Sequence, residues 1–223
     1  MVAHIRGPMV WIALIVFVLG TATQILQFFW LSRKTARSFA VFDPDRENRV
    51  GKLSLHQRIS DMAHYFRKTV FVTYPLTMTV STVFHVCLIL LPLFVLGHNE
   101  LIALSLGHRL PSFPERLSDG LTLVVLLCCS YFFIRRVVLA RMRAISSLAD
   151  YLVLALVGVS FLSGYLAYHQ IFDYQSTITI HMLSGELMLM AIPFTKMTHM
   201  TFFFFNRFMV IHEHTLGRGE RVW

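Results

Sequence analysis

Five stretches of this sequence are each long and apolar enough to cross the hydrocarbon core of a bilayer, and they dominate what the chain can fold into. A helical span needs about 20 mostly apolar residues. Such runs cover Pro8 to Leu31, Val70 to His98, Ser118 to Ala140, Ser147 to His169 and Ile178 to Phe205. Lipid offers backbone N–H and C=O groups no partner, so each run is expected to be a helix that satisfies its own backbone. The expected fold is an all-α integral membrane bundle of five transmembrane helices, one domain over all 223 residues. With 56% hydrophobic and 14% charged residues, and a mean hydropathy of +0.62, the chain has no polar surface for a soluble second domain.

The net charge of +8 does not point to nucleic acid, because the basic residues sit in blocks beside apolar runs rather than on a water-facing patch. They read better as topology signals. Nine Lys/Arg residues from Arg33 to Lys68, then Arg135, Arg136, Arg141 and Arg143, then Lys196, Arg207, Arg218 and Arg221 fall on one side; Arg6, Arg109 and Arg116 fall on the other. This 17 to 3 split puts the N-terminus outside and the C-terminus in the cytoplasm. Arg33, Lys34 and Arg37 follow the first apolar run, which favours a retained helix over a cleaved signal peptide. In the polar segment 32–69, Leu53, Ile59, Met62, Ala63 and Phe66 recur at near-helical spacing, as in an amphipathic helix on the cytoplasmic surface. That helix either lies on lipid or docks a soluble subunit.

Cys87, Cys128 and Cys129 each lie inside an apolar run and form no CxxC or CxxCH, so no c-type haem, iron–sulfur cluster or disulfide framework is expected. The histidines carry more information. Span two holds His85 and His98, and span five holds His181 and His199. Side chains of this kind are costly in lipid and tend to face the bundle interior at functional sites. Eighteen residues on an ideal helix make about five full turns and rise about 27 Å, so His181 and His199 would share a face near opposite membrane surfaces. Two axial imidazoles, one from each of two helices, can hold a haem iron, so the four predict two stacked haems b. Depth pairs His98 with His181 on the outer side and His85 with His199 on the inner side. His85 and His98 lie 13 residues apart, about 140° out of phase on an ideal helix, so a kink at Pro92 or a local π-bulge is needed. His169 is the rival ligand; His4, His56, His64, His108, His212 and His214 read as surface residues.

Three segments then carry a family resemblance. FHVCLILLPLFVLGH (Phe84 to His98) is similar to the second-helix histidine pair of the gamma-subunit family of respiratory nitrate reductase, a di-haem cytochrome b membrane anchor. RRVVLARMRAISSLADYLVLAL (Arg135 to Leu156) looks like that family's basic inner loop and fourth-helix start. IHMLSGELMLMAIPFTKMTH (Ile180 to His199) resembles its fifth helix, with two histidines and a Pro-Phe-hydroxyl-basic-x-x-His ending. The second-helix pair is spaced more widely than in the nitrate reductase subunit, and Glu186 replaces an apolar residue there. The opening GPMVWIALIVFVLG (Gly7 to Gly20) looks more like related subunits in the transmembrane redox complexes of sulfate-reducing bacteria. The resemblance implies electron transfer between a quinone pool, such as menaquinone, and a cytoplasmic iron–sulfur, heterodisulfide-reductase-like subunit. It also implies other membrane subunits and a periplasmic multihaem cytochrome c as partners.

A quinol releases two protons with its two electrons, so a quinone site needs a proton acceptor. Glu186, about 7.5 Å along the helix from His181, is the candidate, with Arg116 where the resemblance suggests a basic residue. Its plainer role is a buried neutral carboxyl bonded to a neighbouring helix. For haem propionates, Lys196 and Arg135 are placed on the inner side, Arg109 and Arg116 on the outer; each is otherwise a flank anchor. Asp150, after Ser146 and Ser147, reads equally as a helix-start carboxylate or as a catalytic one. A non-redox anchor that recruits soluble subunits is the competing function. A transporter is disfavoured by the lack of internal repeats.

Overall fold

The computed structural model describes residues 5–40, 56, 60 and 75–199. A wide turn at Ile5–Met9 leads into α1 (Val10–Ala40); then come α2 (Pro75–Phe94), α3 (Leu96–Leu106), α4 (Glu115–Val138), α5 (Ala140–Ile145), α6 (Leu148–Tyr168) and α7 (Tyr174–Ala191). Two short tight turns, Ile192–Phe194 and Lys196–Thr198, follow. No strand occurs among the described residues. Five segments are long and apolar enough to cross a membrane: Gly7–Leu31, Pro75–Phe94, Glu115–Val138, Leu148–Tyr168 and Tyr174–Phe194. The chain is therefore an all-helical, multi-pass membrane protein. The amphipathic segment around residues 53–66 lies outside the described residues except at positions 56 and 60, and so do residues 200–205 of the fifth run.

Two of the five runs differ from the single helices expected of them. The second ends at Phe94, passes through an extended Val95 (φ −69°, ψ 133°) and restarts as α3. Pro92 cannot donate to the carbonyl four residues back, which weakens the turn before it; the helix runs on to Phe94 and gives way at Val95, leaving the Pro92 carbonyl to His98 Nδ1. The Val95 carbonyl then accepts the Asn99 N–H at 3.1 Å and opens the new helix. Gly107 ends α3 with φ +72°, a left-handed geometry suited to glycine, while its N–H bonds Ala103. The fifth run breaks at Pro193 for the same reason, and Thr195 is extended (φ −120°, ψ −179°). His199 consequently stands beyond the helix that carries His181, so whole-turn phasing does not relate the two. Thr198 Oγ1 donates to the Ile192 carbonyl at 2.8 Å, and Met197 N–H donates to Thr195 Oγ1 at 3.2 Å, so hydroxyls serve backbone groups the helix no longer serves.

Contacts group the chain into two units, Met1–Ala13 with Leu76–Leu189, and Leu14–Pro75 with Met190–Trp223. In the first, α5 turns the chain so that α6 runs back along α4. Phe133 meets Tyr151 at one end of this pair (ring centroids 6.2 Å), and Asp119 meets His169 at the other. At the turn, Ser147 N–H and Oγ both donate to Asp150 Oδ2 at 2.8 Å, and Arg136 reaches Ser146 Oγ at 3.3 Å and Asp150 at 3.8 Å. Asp150 thus caps the start of α6, the first of the two roles its position suggested. Helix α2 joins α4 through Thr77 and Tyr131 (3.1 Å) and through an edge-to-face contact of Phe84 with Phe132 (5.4 Å). Leu91, Val125, Val157 and Ala167 are buried, as are Ser160 and Ser163, whose hydroxyls donate to carbonyls four residues back in their own helix. Asp173 starts α7 by accepting the Ser176 N–H at 2.8 Å, and that bond holds its carboxyl below the usual carboxylate range. In the second unit, Gln24 Nε2 donates to the Pro193 carbonyl at 3.1 Å, and a Cβ on Gly20 would lie 2.7 Å from the Pro193 ring.

Cys87, Cys128 and Cys129 are free thiols buried between helices rather than facing lipid. In native membranes all three are expected to resist a membrane-permeant maleimide and to react after denaturation in SDS, as counted by mass spectrometry. Fast labelling of Cys128 or Cys129 in the folded protein would contradict the packing of α4.

Candidate functional site

The break at Val95 sets the position of His98. As the third residue of α3 it folds back so that its Nδ1 donates to the Pro92 carbonyl at 2.9 Å. His181 projects from α7 toward α6, where its Nδ1 donates to the Ser160 carbonyl at 2.9 Å. The structure brings these two imidazoles together, with ring centroids 5.8 Å apart and planes 17° from parallel.

A carbonyl oxygen only accepts, so in both rings the proton is on Nδ1 and Nε2 keeps its lone pair. This is the arrangement of a metal-binding histidine, whose distal N–H is held by a backbone carbonyl or carboxylate. His85 Nδ1 lies 2.6 Å from the Ser81 carbonyl, and His199 Nδ1 lies against the Lys196 carbonyl. His85 lies in the first unit and His199 in the second, each with its own surroundings. His169 differs. Its Nε2 lies 3.1 Å from Asp119 Oδ2, and its ring packs against Tyr165 at 4.4 Å, so the nitrogen a ligand would need is engaged at the end of the α4–α6 pair.

A cradle on α6 holds the His181 ring. A Cβ on Gly164 would lie 2.9 Å from His181 Cε1 and 3.0 Å from Nδ1, closer than packed atoms tolerate. Gly164 therefore clears space for the ring, and Ser160, one turn earlier on the same face, supplies its acceptor. Neither residue was singled out from the sequence. The signal available was a serine and a glycine four apart in an apolar span, the small-residue pattern of close helix approach.

The residues fit the group that the sequence resemblance implies. An imidazole nitrogen sits about 2 Å from a first-row metal, so two rings on opposite sides of one ion have centroids about 6 Å apart. The His98–His181 separation lies close to that, and the tautomers are the required ones.

The charged candidates are more dispersed. Arg109, exposed, pairs with Glu100 at 2.9 Å, and Arg116 is exposed in the first turn of α4. Arg135 is half-buried in the last turn of α4, and Lys196 is exposed at the start of the last tight turn. Glu186 is buried on α7, 5% exposed, and neither carboxyl oxygen has a hydrogen-bond partner among the described residues. Beside His98, the buried Asn99 donates from Nδ2 to the Pro111 carbonyl (3.1 Å) and Ser112 Oγ (2.8 Å), so the 107–114 connection is pinned against α3. Phe113 N–H reinforces this by donating to the Phe94 carbonyl at 2.9 Å.

Among known proteins, one from Nitratidesulfovibrio vulgaris (strain Hildenborough) is 27% identical to this chain over 98% of its length and 96% of that protein's own. No family model matches the chain, and no solved structure matches it.

The cradle can be tested through stability alone. Gly164→Ala is expected to cost about 1–3 kcal/mol, the penalty of overpacking. Gly158→Ala, where an added Cβ meets nothing within 4 Å, is expected to cost nothing measurable. Unfolding in mixed micelles would read both, and equal stability of the two variants would contradict the contact with His181.

Proposed function

We propose that this chain is the haem b membrane subunit of a respiratory redox complex in a bacterial cytoplasmic membrane. It passes electrons between the quinone pool, menaquinone in this reading, and an iron–sulfur, heterodisulfide-reductase-like subunit on the cytoplasmic side. The observation that carries the reading is the His98–His181 pair: two near-parallel imidazoles from different helices, each with Nδ1 on a backbone carbonyl and Nε2 left to coordinate.

The group supplies one-electron redox chemistry when bound. The chain holds and orients it. His98 and His181 would take the outer iron, with ring angles fixed by the Pro92 and Ser160 carbonyls. His85 and His199 would take the inner one, each ring likewise fixed through Nδ1. Arg109 and Arg116 on the outer side, and Arg135 and Lys196 on the inner side, would meet the propionate carboxylates, where charge-assisted bonds favour arginine forks. Arg116, exposed at the start of α4, would also lie on the approach of a quinol headgroup. Other membrane subunits and a periplasmic multihaem cytochrome c are the further partners of this reading.

Purification of the intact complex from its native membrane, followed by a pyridine haemochrome assay and a reduced-minus-oxidised spectrum, tests it. Two haems b per chain are expected. His98→Ala and His181→Ala should each remove the same one, and His169→Ala should remove neither. A haem-free but folded chain would leave the membrane-anchor function in its place.

A further inference from the structure

Of all polar groups within the described helices, the Glu186 carboxyl is the least reconciled with its surroundings. It is 5% exposed, both oxygens are sealed from solvent and lipid, and neither has a hydrogen-bond partner. The other ionisable residues of α7 are Tyr174 and His181. Among the described residues no hydrogen bond reaches Glu186.

Neither protonation state suits such a place. An ionised carboxylate in an apolar interior is unstable without an opposite charge, and a neutral one leaves its hydroxyl and carbonyl unpaired. Among the described residues nothing satisfies either state. A neighbour whose net charge alternates between +1 and 0 would satisfy the ionised form in one condition and release it in the other. An iron–porphyrin core held by two neutral imidazoles has that property: its net charge, propionates aside, is +1 when ferric and 0 when ferrous. His181 is five residues away on the same helix, about 7.5 Å along the axis.

We infer that Glu186 is a redox-linked proton site, ionised beside the ferric outer haem and protonated when that haem is reduced. The inference rests on the haem reading above. It reassigns the carboxyl from direct quinol contact to charge compensation, because its oxygens are closed to a headgroup arriving from lipid. The step balances: one electron arrives from the quinol, one proton from water joins a Glu186 oxygen, and no covalent bond other than O–H forms. Two unit charges about 10 Å apart at an effective dielectric near 20 change proton affinity by roughly tenfold.

The test is a redox titration of the intact complex from pH 5.5 to 9, following the haem that is lost with His181→Ala. In the wild type its reduction equilibrium should shift by roughly tenfold in total over this range, favouring the ferrous form at low pH. Glu186→Gln should abolish most of that shift, and Glu186→Asp should restore part of it. Redox-difference infrared spectra should contain a protonated-carboxyl band on reduction that Glu186→Gln removes. A wild-type chain without haem would overturn the haem reading itself. A haem-loaded chain whose Gln variant keeps both the pH dependence and the band would overturn this inference alone.

Discussion

In a bilayer every backbone carbonyl must find a donor inside the protein, and this requirement organises the whole structure. Where the helices continue, they meet it themselves. Where proline interrupts them, side chains take over. His98 serves the Pro92 carbonyl and Gln24 serves that of Pro193, while Thr195 and Thr198 tie off the turns beyond. The imidazole orientation that makes His98 a credible ligand is thus also part of how the broken span stays in lipid. His181 and His85 extend the pattern to unbroken turns by donating to carbonyls on α6 and α2.

Much of the architecture was legible because membrane spans are a matter of length and hydropathy. The five runs read from the sequence overlap the five apolar helical segments, and capping was one of the two roles read for Asp150 from two serines ahead of an apolar run. The ends were less legible. The second run was read to His98, three residues into α3, and the rest of α3 was not read as a helix, because apolar residues continue past Val95 and hydropathy alone does not mark the restart at Leu96. Pro92 located the first break approximately, whereas the run from His181 to His199 was read as one helix despite Pro193; the loss of helix at Val95 and Thr195 depends on which neighbours can adopt the freed groups. Of those partners, Gln24 lies far away in sequence, 169 residues from Pro193.

The candidate site divides along the same line. Histidines in apolar runs are conspicuous, and four were named from the sequence. What distinguishes His98 and His181 from His169 is which ring nitrogen is engaged, and for His169 that depends on Asp119, fifty residues upstream. Ser160 and Gly164 carry no chemistry of their own and gain meaning only against the His181 ring. Glu186 was visible as a carboxyl out of place in an apolar helix. Its lack of a hydrogen-bond partner among the described residues was not, because partners are supplied by neighbours.

The extended residue at Val95 also bears on how such a chain can change over generations. On one continuous helix, inserting or deleting a residue between two ligands rotates one of them by about 100°. With the helix interrupted and restarted, the linker absorbs that rotation. The lower histidine keeps its register with α2, and the upper one takes its own from α3 and the loop pinned to Asn99. Histidine spacing in this segment is then free to drift among descendants of one ancestor while the geometry above and below the gap stays the same.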